Sequence, residues 1–365
     1  MYLGRVAAEL AQIDANHRRR HIEPRALTDV LDFTSNDYLA MSRHPQVLQA
    51  FRQAQRVGSG AARLLSGRHR EHSLLEEELA AYLGRERALL FSSGYLAALG
   101  AVTTLGRLSR AIVSDELNHA SLIDGIRLTR LPTTIYAHRQ LPSRQSRPPG
   151  SLIVSESLFS MDGDTVDVEA MVADLGDDDI LLLDEAHAIG VLGPRGAGLG
   201  CAINDPRVVI LGTLSKSFGG LGGFIAGPAP VIELCINTAR SFIFDTALPP
   251  ALALAARVAL SLIIKADDRR ATIAANASRL RLGLASLGYP VDQRQTQIVP
   301  VLLGDEVRAL NVAASLRASN IEATAIRPPT VAPGSSRLRL ALRSDQASEH
   351  IDLLIEALAR CNVTS

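Results

Sequence analysis

Val208-Val-Ile-Leu-Gly-Thr-Leu-Ser-Lys216 is the stretch that decides the fold. Four apolar residues in a row, with no polar alternation, read as a strand buried on both faces. The run ends in small residues and then a lysine. The same rhythm recurs upstream. Ala88-Leu-Leu-Phe91 runs into Ser92-Ser-Gly94, and Ala111-Ile-Val113 into Ser114-Asp-Glu-Leu-Asn-His119. Leu152-Ile-Val154 runs into Ser155-Glu156, and Ile180-Leu-Leu-Leu183 into Asp184-Glu-Ala-His187. Helical stretches usually follow. The pattern predicts an α/β fold with a mostly parallel central sheet covered by helices. In open sheets of this kind ligands bind outside the carboxyl ends of the strands. The residues with chemical potential all fall there.

The flanks read differently. Val6–Arg20 is expected to be a helical arm and Leu31–Thr34 an extended piece. Ser73, with Glu76 three residues on, has the pattern of a helix N-cap. Leu248–Ile264 is the most apolar long stretch, but Pro249, Pro250 and Arg257 interrupt it. It reads as a buried helix, not a membrane span of ~20 clean residues. After residue 260 or so come helical Asp267–Leu287, apolar Ile298–Leu303 and helical Val307–Arg317. Arg337–Arg343 alternates strictly, which predicts a half-exposed antiparallel strand; a last helix is expected over Ser348–Arg360. The expected organisation is an amino-terminal arm over 1–45, a large domain over 46–260 and a smaller α+β domain over 261–365.

The 365 residues carry 38 Lys+Arg against 38 Asp+Glu, so the formal charge is zero. Apolar residues at 47% exclude a disordered chain. The balanced charge disfavours a nucleic-acid binder, because phosphate contacts need a basic surplus. Three cysteines, far apart and without a CxxC pair, suggest neither a disulfide framework nor a thiolate zinc site. The first ten residues lack a signal-peptide core, and the expected location is the cytoplasm.

Lys216 stands among small residues, with Gly219, Gly220, Gly222 and Gly223 close behind. A lysine in a tight, dry site has a lowered pKa and forms an imine with a carbonyl. A random lysine is a surface residue, so the neighbours carry this reading. Asp184 can be an ordinary helix cap, or a buried carboxylate that keeps a heteroaromatic nitrogen protonated. Asp-Glu-Ala-His also occurs in nucleic-acid-dependent ATPases, but their phosphate loop, Gly-x-x-x-x-Gly-Lys-Ser/Thr, is absent. Ser93, Gly94 and Tyr95 open a helix, whose N-terminus offers free N–H groups to a phosphate. Thr213 and Ser215 add hydroxyls, and His119 can stack on a flat ring. His69 and His72 have no third partner in sequence, so no metal site is expected. Gly-x-Ser-x-Gly and His-Glu-x-x-His are both missing. The set asks for a phosphate, a pyridine-like ring and a carbonyl, and pyridoxal 5′-phosphate has all three.

Phe33-Thr-Ser-Asn-Asp-Tyr-Leu39, Gly58-Ser-Gly60 through Ser66-Gly67 and His72, Ser114–Ser121, Glu156-Ser-Leu-Phe-Ser-Met-Asp-Gly163, Asp184–His187, Thr213–Lys216 and Thr246-Ala-Leu-Pro-Pro250 occur in that order. On these motifs the chain resembles the α-oxoamine synthases, a family of fold-type-I pyridoxal-phosphate enzymes, over about residues 30–360. Ala325-Ile-Arg-Pro-Pro-Thr-Val331 followed by Ser336-Arg-Leu-Arg-Leu340 resembles the branch that condenses L-alanine with a pimeloyl thioester, on coenzyme A or a carrier protein, with loss of CO2. Other branches use glycine or serine with other acyl thioesters. The resemblance implies that Lys216 takes the cofactor aldehyde and moves the Cα proton, that Asp184 pairs with the ring nitrogen, and that His187 and Ser160 meet the ring hydroxyl. It implies that His119 stacks on the ring and that Ser93, Gly94, Tyr95 and Thr213 hold the phosphate or ring. It further implies a homodimer in which Thr246 reaches the other subunit's phosphate, and Arg327 and Thr330 at a substrate carboxylate. An arginine of Arg18-Arg19-Arg20 is expected there too. Two departures stand out: Ala188-Ile189 after the Asp-Glu-Ala-His motif, and Asp245 where a serine is common.

Overall fold

In the computed structural model, which describes residues 2–16, 18–20, 22, 30–292 and 294–363, each of the five apolar runs forms a strand. They belong to a seven-stranded sheet in the order Arg87–Phe91, Gly223–Gly227, Val208–Thr213, Ile180–Asp184, Ser151–Glu156, Ala111–Asp115, Thr133–Tyr136. Gly223–Gly227 is antiparallel to both neighbours, and the remaining pairings are parallel. Two antiparallel steps restore direction, so Arg87–Phe91 runs the same way as the other five. The carboxyl ends at Phe91, Asp115, Tyr136, Glu156, Asp184 and Thr213 therefore share one edge of the sheet.

Val208–Thr213 and Ser151–Glu156 are buried along their whole length. That accounts for their unbroken apolar sequence. The helix Gly94–Gly106 lays Ala97, Ala98, Ala101, Val102 and Leu105 into a core with Leu89, Ile112, Leu152, Leu182 and Val209. Each such leucine, valine or isoleucine contributes roughly 1.5–3 kcal/mol by leaving water. Gly223 allows a close backbone approach that a Cβ would block, and Gly94 one that a Cβ would crowd. A Cβ on Gly223 would lie 2.5 Å from Gly94 Cα, and a Cβ on Gly94 would lie 3.1 Å from Thr213 Oγ1.

The chain divides into two compact units. One comprises 36–160 and 164–271 and holds the seven-stranded sheet. The other comprises 1–35, 161–163 and 272–365. Its three-stranded antiparallel sheet runs Thr324–Ile326, Ser336–Ala341, Ile298–Gly304, with helices Glu306–Ala318 and Ser348–Val363. Leu31–Asp32 pairs in parallel with Ile321–Glu322. The amino-terminal helix spans Tyr2–Ala15, so it begins and ends earlier than the expected Val6–Arg20.

Two expectations need correcting. The alternating strand Ser336–Ala341 is buried throughout, not half-exposed. Its arginines turn inward: Arg337 bonds the Ser335 carbonyl and the Asp162 carboxylate. Ser73 is not the cap of its helix, which starts earlier and spans Arg70–Leu83 with His69 as N-cap. Glu76 instead takes a two-pronged bond from Arg63 and the Leu90 N–H.

Candidate active site

Asp184 ends its strand directly opposite Glu156 in the parallel register. Its Oδ1 accepts the Ala186 N–H at 2.9 Å, and the residue is only 7% exposed. Burial raises the Asp184 carboxyl, while the Lys216 charge, the Ala186 N–H and His119 act against that rise. Burial, with Asp184 adding to it, pushes the Glu156 carboxyl well above the usual carboxylate range. Glu156 Oε1 is buried and has no hydrogen-bond partner among the described residues. Carboxylates this close do not both ionise freely.

Lys216 follows Val208–Thr213 and is partly buried. It is one of two lysines in the chain, the other being Lys265. Thr213 lies at the same turn, where its hydroxyl bonds the Gly222 carbonyl and Ser215 Oγ, each at 2.9 Å. After Arg87–Phe91, two places along the sheet, Ser93 Oγ accepts the Leu96 N–H at 3.2 Å and caps Gly94–Gly106. The first N–H groups of that helix have no partner within it and present a positive dipole end.

His119 caps the helix Ala120–Thr129, its Nδ1 accepting the Ser121 N–H at 3.2 Å. The residue is exposed, and Tyr95 meets its ring edge-on with centroids 6.4 Å apart. Tyr95 itself gives its hydroxyl proton to Asp124. His187 is buried, and its Nδ1 bonds the Tyr38 hydroxyl at 2.7 Å. Glu185 beside it is wholly buried and holds Ser157 Oγ and the N–H groups of Leu199 and Gly200. Those bonds fix the glycine-rich loop after the strand. Thr246 is exposed in the same unit.

Lys216, Asp184, His187, His119, Ser93, Gly94, Tyr95, Thr213 and Ser160 thus all lie in the unit with the larger sheet, at the ends of its strands or in the segments that follow them. Arg327 and Thr330 belong to the other unit. There Arg327 follows the strand Thr324–Ile326, and its carbonyl accepts the Thr330 N–H at 3.0 Å. Of the three clustered arginines, Arg20 reaches Thr330 Oγ1 at 3.4 Å. Arg19 is tied to Asp14 and Arg18 to Glu306. Glu156 and Tyr38 are the site residues to which the sequence reading gave no role. Both sit inside stretches already singled out, Glu156–Gly163 and Phe33–Leu39, and only the register and the fold set them beside Asp184 and His187.

A family profile described as aminotransferase class I and II matches residues 28–358. An 8-amino-7-oxononanoate synthase of Anaeromyxobacter sp. (strain K) is 42% identical, covering 97% of this chain and 94% of its own. One from Methylococcus capsulatus is 40% identical, covering 96% of each. Among solved structures, a Sphingomonas wittichii serine palmitoyltransferase superposes with a TM-score of 0.89 at 27% identity, over 98% of this chain and 96% of that one. An 8-amino-7-oxononanoate synthase from Francisella tularensis gives 0.78 at 28%, over 92% and 98%.

Proposed function

This chain belongs to the class I and II aminotransferase family, and on that premise we propose that it is a pyridoxal-phosphate-dependent C-acyltransferase of the α-oxoamine synthase type. Its activity is that of 8-amino-7-oxononanoate synthase, the decarboxylative condensation of L-alanine with a pimeloyl thioester that serves biotin formation. The observation that carries this reading is the full-length similarity, near 40% identity, to synthases of that one activity. The serine-using branch matches in fold at lower identity.

The residues present fit pyridoxal 5′-phosphate. A buried carboxylate with one oxygen unengaged among the described residues, Asp184, suits a protonated ring nitrogen. A capped helix N-terminus at Ser93 and Gly94 suits a phosphate, and Lys216 supplies the amine for the aldehyde. When bound, this group supplies an electron sink that acidifies the amino acid Cα–H and takes up charge as CO2 leaves.

The chain's own residues do the rest. Asp184 holds the proton on the ring nitrogen, without which the sink is weak. Its burial makes that pairing matter, because an ion pair out of water is strengthened by low dielectric. His187, oriented by the bond between its Nδ1 and the Tyr38 hydroxyl, meets the ring hydroxyl beside Ser160. His119 orients the ring by stacking, its exposed face being open for that contact. Lys216 removes the Cα proton of alanine and returns one to the product carbon. Arg327, with Thr330, holds the substrate carboxylate before it is lost. Thr246 reaches the phosphate held by a second copy of the chain, which makes the working unit a homodimer.

The reading is tested by incubating the purified, cofactor-loaded protein with alanine, glycine or serine against pimeloyl, acetyl, succinyl and palmitoyl thioesters. Pimeloyl donors are offered on both coenzyme A and a carrier protein. CO2 release and an amino-ketone product with alanine and pimeloyl thioester alone are expected. Preferential turnover of serine with a palmitoyl donor would overturn it.

A further inference from the structure

The segment 245–248, which carries Thr246, is held at several points within its own unit. The Ala247 N–H donates to the Ala61 carbonyl at 3.0 Å. The Leu248 carbonyl accepts from Ser59 Oγ and from His72 Nε2, each at 2.6 Å. His72 Nδ1 accepts the His69 N–H at 3.2 Å, which sets the tautomer and leaves the proton on Nε2. Ser59 and His72 are both buried. Thr246, by contrast, is exposed, so a well-anchored backbone presents a free-standing side chain.

One further bond links this segment to the phosphate-binding turn. The Ser92 hydroxyl donates to the Asp245 carboxylate. Ser92 immediately precedes Ser93, the cap of Gly94–Gly106. A carboxylate only accepts, so the direction of this bond is fixed. A serine at 245 would leave it unset, since each hydroxyl can give or take the proton.

We propose that Asp245 is a positioning residue for the cofactor phosphate, a tether that holds the Thr246 segment and the Ser92–Gly94 turn as one piece. The inference rests on the proposed function, in which Ser93 and Gly94 meet the phosphate of one active site and Thr246 that of the other. A single bond then joins the two groups through which each chain touches both cofactors. The tether carries a cost in charge: a carboxylate repels a phosphate nearby. Positioning favours binding and charge opposes it.

Asp245→Asn separates the two effects, because it keeps an acceptor for Ser92 and removes the charge. The experiment titrates the cofactor-free protein with pyridoxal 5′-phosphate, following absorbance and the melting temperature. Asp245→Asn is expected to bind at least as tightly as the parent protein. Asp245→Ala is expected to bind about tenfold more weakly, the scale of one charged hydrogen bond. Ser92→Ala reads the same bond from its other end but keeps the charge, so it should bind at least as weakly as Asp245→Ala, and the Ser92→Ala/Asp245→Ala double variant should be no weaker than either. The proposal falls if Asp245→Ala binds as tightly as the parent, if Asp245→Asn is as weak as Asp245→Ala, or if the two alanine effects multiply. A parent protein that binds no pyridoxal 5′-phosphate would instead remove the proposed function, and so the two failures are distinct.

Discussion

Gly223→Ala tests whether the Ser93–Gly94 turn, the proposed phosphate site, is shaped by backbone contact. A Cβ at 223 would lie 2.5 Å from Gly94 Cα and from the Ser93 carbonyl oxygen, and 2.6 Å from Gly94 N. Ordinary contact begins near 3.4 Å, so the turn must retreat by 3.4 − 2.5, or about 0.9 Å. All three atoms belong to the backbone, and no side chain can swing aside. Overpacking of this kind costs about 1–3 kcal/mol. For a protein of this size that lowers the melting temperature by a few degrees. The functional effect is larger, because a displacement of about 1 Å at a binding site can cost roughly a hundredfold. Gly227→Ala is the control on the same strand, since its Cβ would meet Val209 Cγ2 at 3.5 Å, an ordinary contact. The assay is cofactor titration by absorbance, with far-UV circular dichroism to confirm the fold. Gly223→Ala should bind pyridoxal 5′-phosphate at least about tenfold more weakly, by the same positional argument, while Gly227→Ala should match the parent. Equal affinities in the two variants would refute the reasoning.

Three more expectations concern single side chains. Asp184→Asn should still bind the cofactor but lose alanine α-deuterium exchange by orders of magnitude; unchanged exchange, read by NMR, would contradict the role given to that carboxylate. Burial, with the Arg63 charge adding to it, pushes His72 down to about 4 from an ordinary 6.5. The unfolded chain then binds the proton first, so stability should fall as pH drops from 6.5 towards 4, and His72→Gln should flatten that fall in melting curves. Burial opposes the charged form of His138, but its bonds to Asp115 and Asp164 outweigh burial and push it up to about 9. That contribution is full below 6.5 and is lost as pH rises through 9; His138→Gln should remove this alkaline slope, and a slope equal to the parent's would count against the cluster.

The five apolar runs were legible because strands buried on both faces leave no room for polar alternation. Thr133–Tyr136 escaped the same reading for the opposite reason: it is an edge strand, exposed over all but Tyr136. Gly223–Gly227 escaped because glycines at both ends read as a turn, whereas here Gly223 is small to admit the Ser93–Gly94 backbone. Lys216, Asp184 and His119 could be singled out since each ends or follows an apolar run and each has a residue type suited to one part of the cofactor. Glu156 could not be given a role in this way, because its place opposite Asp184 depends on the pairing register, which no local pattern encodes. The inward turn of Arg337 was equally invisible, since its partner Asp162 is 175 positions away.

Reduction of the cofactor-loaded protein with borohydride, followed by peptide mass spectrometry, tests the central claim most directly. With only two lysines in the chain, the exposed Lys265 serves as an internal control. The account predicts one stable pyridoxyl adduct, on Lys216, that is absent when L-alanine is added before the reductant. An adduct on Lys265 alone, or none at all, would contradict it.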